Sequence, residues 1–229
     1  MAIDIGVIAT DLTRIEPIGR MAHQFGYEGI CVSNQTNGLV KRTPEGIAIY
    51  QRANLSGKGI GSIRKQIENT RKHTILLSVQ LGSIELTNWV VEDQRVDILT
   101  VDPARDSHLR DSTAHIAAMA STFLEIQFAP LLQTNGLNRS KILKIYREAV
   151  SVAVTAGMGV IISSGASQPI ELRSPIAMIH IGMLLGLDRT DAEKAIQEYP
   201  ATIIERNMKK LDSDLVQTGV EILRRGEEM

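Results

Sequence analysis

The sequence predicts an α/β chain that closes into a TIM-barrel-like (β/α) barrel of seven or eight strands. Three observations lead there. Seven short apolar runs recur along 229 residues, each bounded by polar or turn residues and spaced by about one helix length. Strands joined by helices in strict order imply parallel pairing through right-handed crossovers, and this many units in one chain favour a closed barrel over an open doubly wound sheet. No Gly-x-Gly-x-x-Gly follows the first run, as a dinucleotide-binding sheet would require.

The strands are expected at Ile3–Ile8, Gly29–Ser33, Ile47–Tyr50, Ile75–Val79, Asp97–Val101, Phe123–Phe128 and Gly159–Ser163. Between the first two, Leu12–Phe25 spaces Ile15, Ile18, Ala22 and Phe25 by three and four residues, the signature of a helix with one apolar face. Ile60–Thr74 repeats the pattern, with Ile60, Ile63 and Ile67 opposite Arg64, Lys65, Glu68, Arg71 and Lys72. Asn138–Ala156 is a long amphipathic helix with Asn138 as its cap candidate and Gly157-Met158-Gly159 as its stop. Pro175–Leu185 starts after Ser174 and ends at Gly186, and Asp188-Arg189-Thr190 caps a further helix starting at Asp191. The tail Val216–Arg225 reads equally as an eighth strand or a terminal helix.

Composition bounds the function. At 43% hydrophobic and 22% charged residues, the chain reads as one globular domain, residues 1–229. The single cysteine, Cys31, lies in an apolar run and excludes a disulfide framework, which fits a reducing, cytoplasmic setting. No membrane span or signal peptide is expected, since no apolar stretch is long enough and Asp4 stands where a signal peptide is basic. Net charge is −1, so autonomous nucleic-acid binding by counterion release is not expected; the basic residues are clustered at 58–72 and 138–157 instead.

One stretch stands out. Val160-Ile161-Ile162-Ser163-Ser164-Gly165-Ala166 ends a strand in a small-polar turn, and Glu171-Leu172-Arg173-Ser174-Pro175 opens the next helix. Such a turn offers backbone N–H groups, two hydroxyls and a guanidinium, a pattern suited to phosphate, and in a barrel it lies on the C-terminal rim. The plainer reading is a tight connection. The loops Gln35–Pro44 and Pro103–Arg110 follow strands as well, so their arginines are expected on the same rim.

Catalytic signatures are incomplete. Metal hydrolases of the polymerase-and-histidinol-phosphatase class carry Asp-x-His-x-His on the first strand, because alternate residues of one strand share a face and can bind one ion. Here the run is Asp4-Ile5-Gly6-Val7-Ile8, with Gly6 and Ile8 in the histidine places. The five histidines form no His-x-His or His-Glu-x-x-His arrangement, so no metal ligand set is expected. Ser163 and Ser164 lack a Gly-x-Ser-x-Gly elbow, and His180 reads as an ordinary helix residue. Glu125, inside an apolar strand, needs a partner; an ion pair with an arginine is expected over a catalytic role. No catalytic residue is therefore assigned.

Phe123-Leu124-Glu125-Ile126, Pro130-Leu131-Leu132, the helix Arg139–Ala156, the serine-glycine turn, Glu171-Leu172-Arg173-Ser174-Pro175, Leu184-Leu185-Gly186-Leu187 and Tyr199-Pro200-Ala201-Thr202-Ile203-Ile204 together resemble archaeal ribonuclease P protein component 3. The resemblance covers nearly the whole chain and is strongest from residue 95 to residue 207. It implies a barrel similar to that of the polymerase-and-histidinol-phosphatase hydrolases. It also implies a subunit of the ribonucleoprotein endonuclease that removes the 5′ leader from precursor tRNA. The RNA would do the chemistry and hold the magnesium, and the chain would bind no cofactor of its own. The partners implied are ribonuclease P RNA, ribonuclease P protein component 2 and other protein subunits, and precursor tRNA.

With only one tryptophan, four tyrosines and three phenylalanines, and only Tyr146 within a basic cluster, shape and phosphate contacts are expected over base stacking. The RNA or phosphate contacts expected are Arg105, Arg139, Lys141 and Arg173, with Ser163, Ser164 and Gly165 lining the same rim. Two other readings stand beside this one: a degenerate metal-dependent phosphoesterase using Asp4, Glu125 and loop histidines, and a purely structural or small-ligand-binding barrel whose serine-glycine turn holds a phosphate without chemistry.

Overall fold

The computed structural model describes residues 2–9, 12–33, 38–105, 108–211, 215–217 and 220–221. Its strands in chain order are β1 (Ile3–Val7), β2 (Gly29–Val32), β3 (Val40–Arg42), β4 (Ala48–Leu55), β5 (Leu76–Gln80), β6 (Ile98–Thr100), β7 (Phe123–Gln127) and β8 (Val160–Ser163), followed by β9 (Leu215–Gln217) and β10 (Val220–Glu221). Seven of them run β1-β2-β4-β5-β6-β7-β8, each parallel to its neighbours. At the seam, the Ile8 N–H donates to the Ala166 carbonyl at 2.8 Å and the Ser164 N–H to Asp4 Oδ1 at 3.1 Å, drawing the two edges together. All seven expected strands are present, and the expected barrel is the observed one.

Outside the ring lie α1 (Leu12–Gln24), α2 (Ile60–Thr70), α3 (Ile84–Glu92), α4 (Asp111–Met119), α5 (Ala129–Gln133), α6 (Gly136–Thr155), α7 (Pro175–Leu185), α8 (Arg189–Gln197) and α9 (Tyr199–Leu211). Ser174 and Asp188 cap α7 and α8 by accepting from Ala177 N–H and Asp191 N–H. Gly186, at φ 112°, ends α7 in the left-handed conformation that glycine tolerates.

Several expectations are corrected. Alternation of strand and helix breaks between β2 and β4, where β3 stands in place of a helix. It pairs antiparallel with the first half of β4, on the edge that β5 takes over from Arg52 onward. The eighth strand of the sheet is therefore β3 and not the tail. Residues 215–217 and 220–221 pair only with each other among the described residues, and the rest of the tail, 222–225 included, lies outside them. Likewise β4 runs on to Leu55, past the polar Gln51 and Arg52 where the apolar run stops, because Arg52 is satisfied inside the barrel. The helix after it ends at Thr70 and tightens into a single turn at Arg71–His73, from which Arg71 reaches Asp97 at 2.7 Å. Asn138 is not a cap: α6 begins at Gly136, after Asn135.

Period-two alternation builds the interior in two halves. At the N-terminal end, Ile3, Ile5, Cys31, Tyr50, Leu76, Ile98 and Ile161 form an apolar plug with Ile203 and Ile204 of α9, which crosses the barrel bottom. Asp97 pins that helix: it accepts from Arg206 Nη2 at 2.9 Å and Asn207 Nδ2 at 2.8 Å, and from Arg71 on the other side. The residues between the strands and the outer helices form the larger cluster, with Val7, Ile30, Leu77, Leu99, Leu124 and Ile162 among its strand members. The C-terminal half of the interior is polar.

Candidate functional site

That polar half is built around one ion pair. Arg52, 2% exposed, points inward from β4, and Glu125, 0% exposed, from β7. Arg52 Nη1 donates to Glu125 Oε1 at 2.6 Å and Nη2 to Oε2, a bidentate pair, while Nη1 also donates to the Ile5 carbonyl and Nε to Asn54 Oδ1 at 2.6 Å. Thr100 and Ser163 complete the carboxylate's shell, their hydroxyls each donating at 2.6 Å. Burial alone works against an ionised Glu125, but the guanidinium and the two hydroxyls hold its carboxyl below the usual range. The expected arginine partner of Glu125 is thus Arg52, which sequence reasoning did not single out. The signal was present: Tyr50, Arg52 and Asn54 alternate with Gln51, Ala53 and Leu55, as strand residues facing two sides do.

The place of the first missing histidine, at Gly6, is closed by packing. A β-carbon on Gly6 would collide with the Ser163 hydroxyl, lie 2.5 Å from the Ser163 β-carbon and 3.1 Å from Glu125 Oε1. Gly6 is therefore required by the close approach of β1 to β8. Asp4 faces the seam, its Oδ1 accepting from the Gly6 and Ser164 N–H groups at 3.1 Å each. Its Oδ2 has no partner, and burial pushes its carboxyl above the usual range. Among the described residues no three His, Cys, Asp or Glu side chains are grouped as a metal site. With Glu125 committed to Arg52 and Gly6 filled by Ser163, the donor set does not fit a metal ion.

The serine-glycine turn differs from its expected role as well. Ser163 and Ser164 are 1% and 0% exposed. The Ser163 hydroxyl is spent on Glu125, and Ser164 Oγ accepts from Ala166 N–H at 3.0 Å. Gly165 adopts φ 64° and packs so close to β7 that a β-carbon would stand 3.1 Å from Gln127 Cβ, so it too is buried. The turn already holds an anion of its own. Glu171 Oε2 accepts from Ser167 N–H at 2.7 Å, Ser167 Oγ at 3.0 Å and Gln168 N–H at 3.2 Å, while Oε1 takes Gln133 Nε2 at 2.8 Å. Burial raises the Glu171 carboxyl, but these donors prevail and hold it below its ordinary value. The expectation that Ser163, Ser164 and Gly165 line an open rim is corrected: the turn is a closed connection whose N–H groups serve the fold.

The basic residues fare differently. Arg105 follows β6, Arg139 and Lys141 stand in the first turns of α6 after β7, and Arg173 lies between β8 and α7, so the topology brings all four to the C-terminal rim. Arg105 is exposed and pairs with Asp102 at 3.1 Å. Arg139 and Lys141 are exposed, and Arg139 Nε rests on the Thr134 carbonyl at 2.8 Å. Arg173 is half-buried; its Nη1 donates to the Ile170 and Leu172 carbonyls, and its own carbonyl accepts from Tyr27 Oη at 2.9 Å. The Gln133–Glu171 bond ties the α5 end of this rim to the turn that carries Arg173. Two guanidiniums are thus steadied by backbone oxygens instead of carboxylates, which leaves their charge uncancelled.

Together these features define a class: a (β/α) barrel whose centre is locked by an internal ion pair and whose rim presents cations. The family model for RNase P subunit p30 matches residues 1–211. The chain belongs to the RNase P subunit p30 family and is a ribonuclease P protein subunit. Among curated relatives, ribonuclease P protein component 3 of Methanosarcina barkeri is 27% identical over 93% of this chain and 91% of the relative. That of Methanosarcina acetivorans is 28% identical over 96% and 92%. A chain in the cryo-EM structure of archaeal ribonuclease P with mature tRNA superposes with TM-score 0.80 at 18% identity, covering 99% of this chain and all of that one. A crystal structure of an amidohydrolase superposes with TM-score 0.52 at 10% identity over 91% of this chain and 75% of its own. Both structural likenesses describe the fold.

Proposed function

We propose that this subunit braces the ribonuclease P RNA through its C-terminal rim and joins the other protein subunits, ribonuclease P protein component 2 first among them, in processing the 5′ end of precursor tRNA. The observation that carries this reading is the contrast between centre and rim. The position where a hydrolase of this fold keeps its metal ligands is consumed by Arg52–Glu125 and by Ser163 against Gly6, whereas Arg139, exposed, and Arg173, half-buried, stand on the rim on backbone supports. A barrel so arranged can hold phosphate and has no group to cut it. Cleavage and its magnesium then belong to the RNA, the chain itself binds no cofactor, and it works in the cytoplasm, where its buried Cys31 stays reduced.

Binding to RNA is made by Arg105, Arg139, Lys141 and Arg173, as charge and hydrogen bonding to backbone phosphates; Tyr27, an aromatic residue beside Arg173, is buried and spends its hydroxyl on that residue's carbonyl, which supports shape over base stacking. The test is reconstitution. Adding the chain with component 2 to the catalytic RNA is expected to lower the magnesium needed for precursor-tRNA cleavage, with no hydrolysis by the chain alone. In the Arg139→Ala, Arg173→Ala double variant, the salt dependence of RNA binding is expected to flatten by about one unit of slope for each phosphate that is no longer neutralised. An unchanged magnesium requirement together with an unchanged slope would overturn the reading.

A further inference from the structure

The α7 helix contradicts its position. It lies on the outside of the barrel, packed against α6 and α8, yet from Ser174 to Leu187 it carries no acidic residue, lysine or arginine. An outer helix normally turns charges to water, and one apolar all round is normally covered. Here the outward face presents Ile176 at 71%, Met183 at 40% and Leu184 at 57% exposure. With exposed His180 they occupy positions i, i+4, i+7 and i+8, a continuous stripe along the helix. The inward residues Met178, Gly182 and Leu185 already satisfy the core, so the outer stripe does nothing for the fold. Ile170, 77% exposed, extends the apolar surface to the turn that carries Arg173.

The flanks say what kind of molecule fits. On one side α6 carries Arg139, Lys141, Lys144 and Arg147 against Glu148 alone. On the other, α8 with its caps carries Asp188, Asp191, Glu193 and Glu198 against Arg189 and Lys194. A neutral apolar seam thus runs between a basic helix and an acidic one. RNA is a poor occupant, since the seam offers no cation to a phosphate and no aromatic ring to a base. A second copy is the weaker fit: antiparallel pairing of two α7 helices about a two-fold axis sets basic α6 against basic α6 and acidic α8 against acidic α8, and parallel pairing, which opposes α6 to α8, aligns the two helix dipoles; self-association is therefore one of the outcomes of the test below.

We propose that the outward face of α7 is the docking seam for another protein of the ribonucleoprotein, one that covers Ile176, Met183 and Leu184 with an apolar helix bordered by carboxylates over α6 and cations over α8. This rests on the reading of the chain as a ribonuclease P subunit. It places the protein partner beside the RNA-facing rim, with Ile170 and Arg173 at the junction of the two.

The experiment compares the full chain with the Ile176→Glu, Leu184→Glu variant, both residues being exposed and outside the rim. Three properties are measured: melting temperature, salt-dependent binding of the catalytic RNA, and binding of each purified protein subunit by calorimetry, component 2 included. The expected result is unchanged melting and RNA binding with affinity for one protein subunit reduced about tenfold or more, as when a central apolar anchor is removed. Exchanging charge on the flank, Lys144→Glu, is expected to weaken the same subunit and no other. Equal binding of every subunit by variant and wild type overturns the proposal, as does loss of RNA binding with protein binding intact. Self-association of the wild type that the variant abolishes assigns the seam to a second copy and also overturns it. If the wild type binds neither RNA nor any subunit, the functional reading itself fails, an outcome distinct from failure of the seam alone.

Discussion

Arg52 and Glu125 face each other across the barrel interior from strands that are not neighbours, with Nη1 2.6 Å from Oε1 and both residues closed to solvent. The fold therefore carries a cation of its own at its polar centre, bound by a carboxylate, a carbonyl and an amide. A guanidinium there supplies charge without an open coordination position, so the centre is structural.

Breaking this pair from one side should be far worse than replacing it whole. Glu125→Gln or Arg52→Met leaves a buried group unpartnered and is expected to cost about 3–5 kcal/mol, whereas the combined Arg52→Met, Glu125→Leu replacement should cost much less. Urea denaturation of the three variants checks this, and additive losses would contradict it. Because Glu125 is held below its ordinary value, its contribution is present above about pH 4.5 and lost as pH falls through the lowered value.

Asp4 has the opposite sign. Its carboxyl is raised by burial, so its favourable contribution exists only below the ordinary carboxylate value and disappears as pH rises through the raised one. Asp4→Asn keeps an oxygen for the Gly6 and Ser164 N–H groups and removes the buried charge. Its melting temperature relative to wild type is expected to climb as pH rises above the ordinary carboxylate value and to level off once Asp4 has lost its proton; a constant difference would show that Asp4 does not titrate as described.

Rebuilding the hydrolase motif should fail. Gly6→His, Ile8→His restores Asp-x-His-x-His in sequence, but any side chain at Gly6 strikes Ser163. The expected outcome is overpacking that destabilises by about 1–3 kcal/mol or more, without stoichiometric zinc or manganese by metal analysis. Tight one-to-one metal binding by a folded variant would revive the phosphoesterase alternative.

Removing the turn's internal anion should expose what the sequence promised. In Glu171→Ala the N–H groups of Ser167 and Gln168 lose their carboxylate, and inorganic phosphate is expected to shift those two amide resonances in a titration that leaves the wild type unmoved. Absence of any shift in a variant that melts normally would mean the loop collapses onto other acceptors.

Where one face of an element is buried, the sequence was readable. Seven strands and helices such as α7 were legible because apolar periodicity reports burial directly, and Ser174, Asp188 and Gly186 marked ends by local chemistry. β3 was not legible: three residues with partly exposed side chains carry no pattern, and only pairing to β4 makes them a strand. Of the rim, Arg105, Arg139, Lys141 and Arg173 could be placed from topology alone.

The amino-acid sequence by itself determined the barrel, the absence of a histidine ligand set on β1, and the need of Glu125 for a counter-charge, since each follows from local pattern or from the chemistry of one residue. Only the tertiary structure decided that Arg52 supplies that charge from 73 positions away, and that Gly6 exists to admit Ser163. It also decided that Glu171 fills the turn that looked ready for phosphate, and that α7 turns an apolar stripe outward. These are matters of which side chains meet, and in a closed barrel distant strands meet through the ring's curvature, which no local window of sequence contains.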